Sequence, residues 1–185
     1  MWKCLWGATL CLWGFGASAA EGPRFALSED GAAVIDVQTK LAWSRCVQGM
    51  TWHRGTCSGD ALAVTYNEAT TMAKSRATRE GMPWRLPTMQ ELKFLAERLH
   101  GTNAGSSKLF PAAPEGWYWT SSVRVETGRV NQYDYSNAQR GLTEKNVNRV
   151  GYLHAWVVDM DSVRARSDMP RREKVSVRLV RRLQE

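Results

Sequence analysis

Cysteine is scarce in this sequence of 185 residues, and its scarcity argues against several kinds of site. Cys4 and Cys11 lie in the apolar N-terminal stretch, which leaves only Cys46 and Cys57 for the rest of the chain. These two are not spaced as Cys-x-x-Cys, and no second cysteine or histidine pair accompanies them to complete a zinc site. The two cysteines could instead form a redox pair or bind a metal. Two cysteines in an oxidising compartment, however, favour one disulfide, Cys46–Cys57.

Catalytic motifs are also missing from the sequence. It contains no nucleophile elbow, no phosphate-binding loop and no His-Glu-x-x-His motif. The three histidines, His53, His100 and His154, are scattered over separate segments. Asp159 and Asp161 could hold calcium, although such a pair is more often a solvated turn. We therefore expect a protein that is not an enzyme, with no catalytic residue, no metal and no cofactor.

The apolar stretch at the N-terminus is too short for a stable membrane span. Met1–Ala19 contains one lysine, the apolar residues Leu5–Phe15 and the small-residue triplet Ala17–Ala19, in the order typical of a secretory signal peptide. Its removal leaves Ala20–Glu185, which is the length of one domain and has no transmembrane anchor. We therefore expect a periplasmic or secreted protein.

Acidic residues are too few to balance the basic ones. Lys and Arg number 25 and Asp and Glu number 18, which gives a formal net charge of +7 at pH 7. Removal of the signal peptide takes away Lys3 alone among the charged residues, so 24 basic residues face 18 acidic ones and the net charge is +6. This surplus favours anionic partners, here an acidic polysaccharide or an envelope component. We do not expect a nucleic acid partner.

The densest basic segment is Arg164–Arg182. The two-residue period of a strand puts Lys174, Arg178 and Arg182 on one face, opposite an apolar face. Arginine side chains match sulfate, phosphate and carboxylate groups with two parallel hydrogen bonds, so this row is a candidate anion-binding surface. The alternatives are a solvated strand edge, and Arg178 or Arg181 as a buried partner of Asp36 or Asp159.

The first half of the chain is predicted to begin with two strands. Ala33–Val37 and Leu41–Trp43 are apolar and partly β-branched, and a short polar turn separates them. Cys46–Cys57 is rich in Gly, Thr and Ser and has no clear periodicity. We therefore expect the disulfide to pin a surface loop.

Two helices should follow this loop. Ser58 or Asp60 could cap the first, and Gly81 should end it. Its apolar stripe has helical spacing and consists of Leu62, Tyr66, Ala69 and Ala73. The second helix starts at the capping box Thr88-x-x-Glu91, in which each side chain accepts a hydrogen bond from a backbone N–H. Its buried face is Leu92, Leu95, Ala96 and Leu99.

The second half of the chain is predicted to be mainly sheet. Trp117–Ser121, Ala155–Asp159 and Val175–Leu179 are dominated by aromatic and β-branched residues. A polar segment, roughly 124–151, separates the first two strands and is expected to be a long surface loop. It carries Tyr133 and Tyr135.

The order of several motifs resembles that of a known family. Asp36–Trp43 resembles its segment D-x-x-T-G-L-x-W, with Lys40 in place of the usual glycine. Trp84–Leu92 resembles its most distinctive motif, W-R-L-P-T-x-x-E-L. The later matching pieces are Phe110-Pro111, Tyr118–Ser122, Ala155–Asp159 and Val177–Arg181. Over about residues 33–182 the chain is thus similar to the Lcl C-terminal domain family, and we expect one such domain over 20–185.

The resemblance implies a fold and a broad function. The fold is α+β, a single compact domain with two helices packed on a mainly antiparallel, lectin-like sheet region. The best understood member type is a surface adhesin whose domain binds sulfated polysaccharide, which implies an exported binding module. The sequence triplets of calcium-dependent lectins are missing, so sugar binding should be calcium-independent. The alternatives are an accessory subunit that docks onto a surface or pilus assembly, and an enzyme related to the formylglycine-generating fold.

The motif residues are better explained by structure than by ligand contact. We expect Arg85 to pair with Glu91, and Trp84 to fill the seam between helix and sheet. The structural motif residues are Asp36, Trp43, Trp84, Arg85, Thr88 and Glu91. Besides the basic row, the ligand-binding candidates are the aromatic residues Trp119, Tyr133 and Tyr135.

The small-residue triplet predicts where the mature protein begins. Cleavage after Ala19 should give an N-terminus at Ala20, or within a few residues of it, because signal peptidase cuts behind small residues. Mass spectrometry of the protein recovered from outside the cytoplasm measures this directly. Recovery of that protein with Met1 intact would contradict the signal-peptide assignment.

Overall fold

A computed structural model describes residues 24–100, 106–123, 135, 139 and 153–183. In that part of the chain the elements follow one another as β1 (Phe25–Leu27), β2 (Ala33–Asp36), β3 (Leu41–Ser44), β4 (Thr51–His53), β5 (Thr56–Ser58), α1 (Tyr66–Glu80), α2 (Met89–His100), α3 (Ser106–Leu109), β6 (Trp117–Trp119), β7 (His154–Asp159), β8 (Ala165–Pro170) and β9 (Val180–Arg182). None of these helices is long and apolar enough to cross a membrane.

The strands form two sheets and a separate hairpin. The first sheet has the order β1-β2-β3-β9 and the second has the order β6-β7-β8, while β4 pairs with β5 alone. Every pairing between these strands is antiparallel. The α+β class with mainly antiparallel sheets is therefore confirmed.

The helices pack against two hydrophobic cores. Ala69 and Ala73 of α1 belong to the first core, whereas the apolar face of α2 belongs to the second. Neighbouring residues of β7, Val157 and Val158, point into different cores because successive side chains of a strand alternate in direction. The second sheet is thus covered on both faces.

The last part of the chain differs from its predicted form. The strand expected over Val175–Leu179 is wrong in position, since the regular strand β9 begins only at Val180. The preceding residues form isolated bridges, from Val175 to Val64 and from Ser176 to Tyr118. The segment therefore passes between elements of the fold, and its side chains on both sides become buried.

Helix α1 begins later than predicted. Its N-cap is Thr65, whose side chain accepts from Glu68 N at 3.4 Å while the Glu68 carboxylate accepts from Thr65 N at 2.8 Å. Ser58 and Asp60 therefore do not cap it, and Leu62 lies before the helix with 46% of its surface exposed. The preceding chain is extended because Val64 pairs with the C-terminal segment. The predicted end at Gly81 is confirmed, where φ is +63°.

Helix α2 begins where the capping box predicts. Glu91 N donates to Thr88 Oγ1 at 3.2 Å, and Thr88 N donates to the Glu91 carboxylate at 2.8 Å. The capping box thus satisfies two backbone N–H groups at the start of the helix within four residues of chain.

The Cys46–Cys57 segment is more ordered than expected. It contains β4 and the start of β5, joined by Arg54 and Gly55 with φ of +48° and +85°, the backbone of a tight two-residue hairpin turn. The disulfide between Cys46 and Cys57 is confirmed. It ties the hairpin to the end of β3, so the expected loop is a stapled hairpin.

Several expectations concern residues outside the described ranges. The predicted signal peptide lies there, as do Tyr133 and most of the predicted loop over 124–151. These remain predictions.

The turn between β2 and β3 is organised by Asp36. Its buried carboxylate accepts from the backbone N–H groups of Gln38 and Thr39 and pairs with Arg24 at 3.0 Å. At the end of the turn Lys40 has φ of +56°, the left-handed conformation that glycine adopts without strain. This explains physically why the family motif has glycine at this position.

Replacing Lys40 should therefore stabilise the protein. Lys40→Gly relieves the contact between Cβ and the following carbonyl and should raise the free energy of unfolding by about 1 kcal/mol. Chemical denaturation of the parent and the variant measures the difference. Lys40→Ala is the control, because it removes the charge but keeps the Cβ and should give no gain. Equal stability of Lys40→Gly and Lys40→Ala would contradict this account.

The disulfide should contribute substantially to stability. It closes a loop with a sequence separation of 11 residues, and its loss should cost about 2 to 5 kcal/mol because the unfolded chain gains freedom. The paired variant Cys46→Ser with Cys57→Ser should melt at a lower temperature than the parent. A reductant should lower the melting temperature of the parent but not that of the variant. The same melting curve for both proteins would rule out a structural role.

Candidate functional site

The expected row of exposed cations does not form. Arg178 is only 1% exposed, and its Nη1 donates to the carbonyl oxygens of Ser44 and Arg45 at 2.7 Å each. Its guanidinium also stacks over the Phe110 ring at 4.3 Å. The predicted exposed face is wrong because both sides of this segment are buried. Arg178 is therefore not available to a ligand at the surface.

The other two members of the row are exposed but do not lie together. Lys174 lies near the first turn of α1, where its charge contributes to lowering the pKa of Glu68, after the hydrogen bonds from Thr65. Arg182 pairs with Leu41 in the first sheet. The sequence between them crosses the core, so the two cations do not form one continuous surface.

The aromatic candidates also do not form one surface. Trp119 is 0% exposed, and its Nε1 donates to Val64 O at 2.7 Å while its ring meets Tyr66 edge to face. Trp119 is therefore a core residue and cannot contact a surface ligand. Tyr135 is 77% exposed, and Tyr133 lies outside the described residues.

The motif residues of the two family segments meet beside α2. Asp36 and Trp43 line the same apolar pocket of about 300 Å³ as Glu91. Arg85 binds Glu91 with two hydrogen bonds of 2.7 and 2.8 Å, and Trp84 is buried. Burial alone would raise the pKa of Glu91, but the hydrogen bonds from Arg85 and Thr88 bring that pKa below its ordinary value. These residues thus hold one another in place.

A larger cleft, of about 480 Å³, lies on another part of the molecule. It is bounded by the β4–β5 hairpin, by the end of β3 and by the last turns of α1. Its polar and aromatic lining includes Asp30, Gln48, Trp52, Arg76, Arg79 and Glu80. None of these residues is a candidate from the sequence, because they come from three separate stretches of the chain.

The hairpin is held rigidly at its base. Gly49 has φ of +93°, and a Cβ at this position would lie 2.6 Å from Leu62 Cγ. Leu62 N also donates to Gln48 O at 2.8 Å, and Gln48 N donates to Val177 O at 3.0 Å. Together with the disulfide at Cys46, these contacts fix the wall of the cleft that carries Trp52.

Trp52 is supported on one face by a buried arginine. The Arg45 guanidinium lies 3.9 Å from the centre of the Trp52 ring. Its three nitrogens donate to Gly31 O at 3.0 Å, Lys108 O at 2.5 Å and Leu109 O at 2.8 Å. Burial lowers the pKa of Arg45, but a guanidinium titrates so high that it stays protonated at neutral pH.

Gly31 meets the edge of the same indole. A Cβ on Gly31 would lie 3.3 Å from Nε1 and 3.5 Å from Cζ2 of Trp52, but 3.6 Å from Cε2, which lies between them in the ring. That order of distances places Gly31 at the ring edge. Trp52 is half-buried, and because Arg45 covers one face, a ligand in the cleft can contact only the rest of the indole.

The opposite wall carries paired charges. Arg76 donates to Ser44 Oγ and to the Glu80 carboxylate, both at 2.9 Å, and stacks over Trp84 at 4.1 Å. Glu80 also accepts from Trp84 Nε1 at 2.6 Å. Arg79 approaches Glu80 only at 3.7 Å, and its side chain is 70% exposed. Arg76 is thus fixed, whereas Arg79 is available at the rim.

The cleft lining contains both acids and arginines, and two further arginines lie behind it. The acids are Asp30, whose pKa is lowered first by a hydrogen bond from Ser28, and Glu80. Besides the two arginines of the lining, Arg45 lies behind Trp52, and Arg181 lies 5.3 Å from the Trp84 ring. The two arginines of the lining thus balance its two carboxylates, and Arg45 and Arg181 add positive charge behind the lining, which favours an anionic ligand over a cationic one.

Two other kinds of chemistry find little support here. Among the described residues no group of three or more His, Cys, Asp or Glu side chains could hold a metal ion. Cys46 and Cys57 are joined in a disulfide, so they do not form a pair of metal ligands in this structure.

A signal for the cleft was nevertheless present in the sequence. Thr51–His53 and Thr56–Ser58 flank the dipeptide Arg54-Gly55, a pattern typical of a hairpin. Recognition of this hairpin would have placed Trp52 on an exposed ribbon. The sequence contains no local sign that the end of α1 faces it.

Comparison with known proteins identifies the family. The chain is similar to the crystal structure of human lithostathine at 13% sequence identity, covering 75% of this chain and 91% of that one, with a TM-score of 0.34. This similarity is too weak to carry an argument. No curated protein sequence matches the chain. The family model of the Lcl C-terminal domain matches residues 32–181, well over half of the chain, and the chain therefore belongs to the Lcl C-terminal domain family.

Proposed function

We propose that the chain is an exported, non-enzymatic binding module for an anionic glycan or another anionic polymer of the cell envelope. The observation that carries this proposal is the cleft beside the stapled hairpin. Part of an indole, several polar side chains and two arginines meet there in one concave surface of about 480 Å³. Such a combination of one flat apolar surface with a few placed polar groups is typical of small-ligand sites.

The charge of the whole protein supports an anionic partner. The formal net charge is +7, and Arg45 and Arg181 lie behind the lining of the cleft. A positive surface attracts a polyanion from a distance, and arginine then binds sulfate or carboxylate through directed hydrogen bonds. Recognition through an indole and arginines needs no calcium.

Two further facts support export and binding. A disulfide persists in oxidising compartments, which agrees with a periplasmic or secreted protein. Family membership agrees with a binding module, although the fold by itself leaves the ligand open. The alternative partner is a surface protein onto which the chain docks.

Retention on a sulfated polysaccharide tests the proposal. The mature protein should bind heparin-agarose at low salt, because sulfate groups pair with arginines, and should elute from it at higher salt than from a sulfopropyl exchanger. The exchanger is the control for net charge alone. A chelator should not change the elution.

Two results would count against the proposed function. Elution from heparin-agarose and from the exchanger at the same salt concentration would mean that only net charge is measured. Failure to bind either an acidic polysaccharide or isolated envelope material, together with capture of a surface protein, would favour the docking alternative.

A further inference from the structure

We infer that the cleft binds one sugar unit that carries a single carboxylate or sulfate, with the sugar ring on Trp52 and the acidic group on Arg79. The inference rests on the function proposed above and adds to it the chemistry of the ligand and the residues that select it. A volume of about 480 Å³ falls in the range of about 300 to 1,000 Å³ common for small-molecule sites.

The environment of Trp52 favours a sugar ring over a cation. Arg45 lies 3.9 Å from one face of the indole and draws its π electrons towards that face. The other face is thereby less negative, so it attracts a cationic ligand weakly. The C–H groups of a sugar ring can still pack on it, and this contact gains apolar burial as well as dispersion energy.

Arg79 is the cation that can reach the ligand. The guanidinium of Arg76 is already committed to Ser44, Glu80 and Trp84. In the described part of the chain Arg79 has one ion pair, the 3.7 Å approach to Glu80, and its side chain remains largely exposed. It can turn towards an acidic group in the cleft without breaking a strong interaction.

The remaining lining groups limit the ligand to one acidic group. Asp30 and Glu80 are carboxylates, and Asp30 is held ionised because hydrogen bonds from Ser28 and from Ala32 N lower its pKa. Carboxylates accept hydrogen bonds from sugar hydroxyls but repel a second negative group. Gln48 and Thr51 add further donors and acceptors beside Trp52. The cleft thus combines acceptors for hydroxyls with one cation at its rim.

Titration calorimetry with short defined sugars tests the inference. The probes are a tetrasaccharide derived from κ-carrageenan, in which each acidic unit carries one sulfate and no carboxylate, a tetramer of galacturonate, and neutral cellotetraose. Binding of the galacturonate tetramer alone identifies the carboxylate as the recognised group, and binding of the carrageenan tetrasaccharide alone identifies the sulfate. Cellotetraose should bind at least tenfold more weakly than the better acidic probe, since it lacks the charge-assisted pair. Equal binding of the neutral sugar would overturn the inference.

Variants of the cleft identify the residues involved. Arg79→Gln should weaken binding of the better probe about tenfold, because it removes the charge-assisted pair. Lys74→Gln is the matched control, an exposed residue of the same helix outside the cleft lining, and should change affinity less than about twofold. Trp52→Leu should also weaken binding about tenfold, and Trp52→Tyr should restore most of it by supplying a flat ring.

The outcomes separate this inference from the proposed function. If the parent binds heparin-agarose specifically while Arg79→Gln and Trp52→Leu bind the probes as the parent does, the cleft is not the site and the function still holds. If the parent binds no acidic polysaccharide, both proposals fall. Circular dichroism and melting curves that match those of the parent show that each variant is folded.

Discussion

The guanidinium of Arg178 lies in the interior, and much of the fold is arranged to accommodate it. Removing such a charge from water costs several kcal/mol of free energy unless polar groups replace the water. Ser44 O and Arg45 O accept from its Nη1, and the rings of Phe110 and Tyr118 lie 4.3 and 5.8 Å away. No ion pair of Arg178 occurs among the described residues. Backbone dipoles and aromatic faces therefore take the place of a counter-ion.

This contact places the residues that build the cleft. The two carbonyls that bind Arg178 belong to the end of β3, directly before the disulfide residue Cys46. Arg45 then extends its own side chain to three carbonyls and to the Trp52 ring. The C-terminal segment, the end of β3 and the hairpin are thus joined through successive arginine contacts. A buried guanidinium determines the relative orientation of the segments it joins as well as their distance, because its hydrogen bonds need defined geometry.

Arginine consequently has two distinct uses in this protein. Arg45 and Arg178 organise backbone carbonyls from inside, whereas Arg79 stays at the surface. Arg76 is intermediate, since it stacks on Trp84 and also lines the cleft. A count of basic residues cannot separate these uses, and this is why the densest basic segment of the sequence did not become a binding surface. The candidate site instead draws its cations from helix α1.

The sequence by itself determined the features whose partners lie close along the chain. The capping box of Thr88 and Glu91, the paired strands β2 and β3, the stop at Gly81 and the disulfide across a separation of 11 residues all follow from local hydrogen bonding, backbone preference or a simple count of cysteines. The family motifs in the sequence also predicted the α+β fold class. The start of α1 was misplaced because a distant strand contact keeps the preceding residues extended.

Only the tertiary structure decided which side chains are buried and which meet in the cleft. Arg178 binds carbonyls 133 and 134 residues away, and Arg45 binds carbonyls 63 and 64 residues away. Alternation along a strand predicts a solvated face only when one side of that strand is open, and here both are covered. The cleft joins a hairpin, a strand end and a helix end, and no periodicity in the sequence relates them. Their proximity results from packing, since the two cores fix how the helices and sheets approach one another.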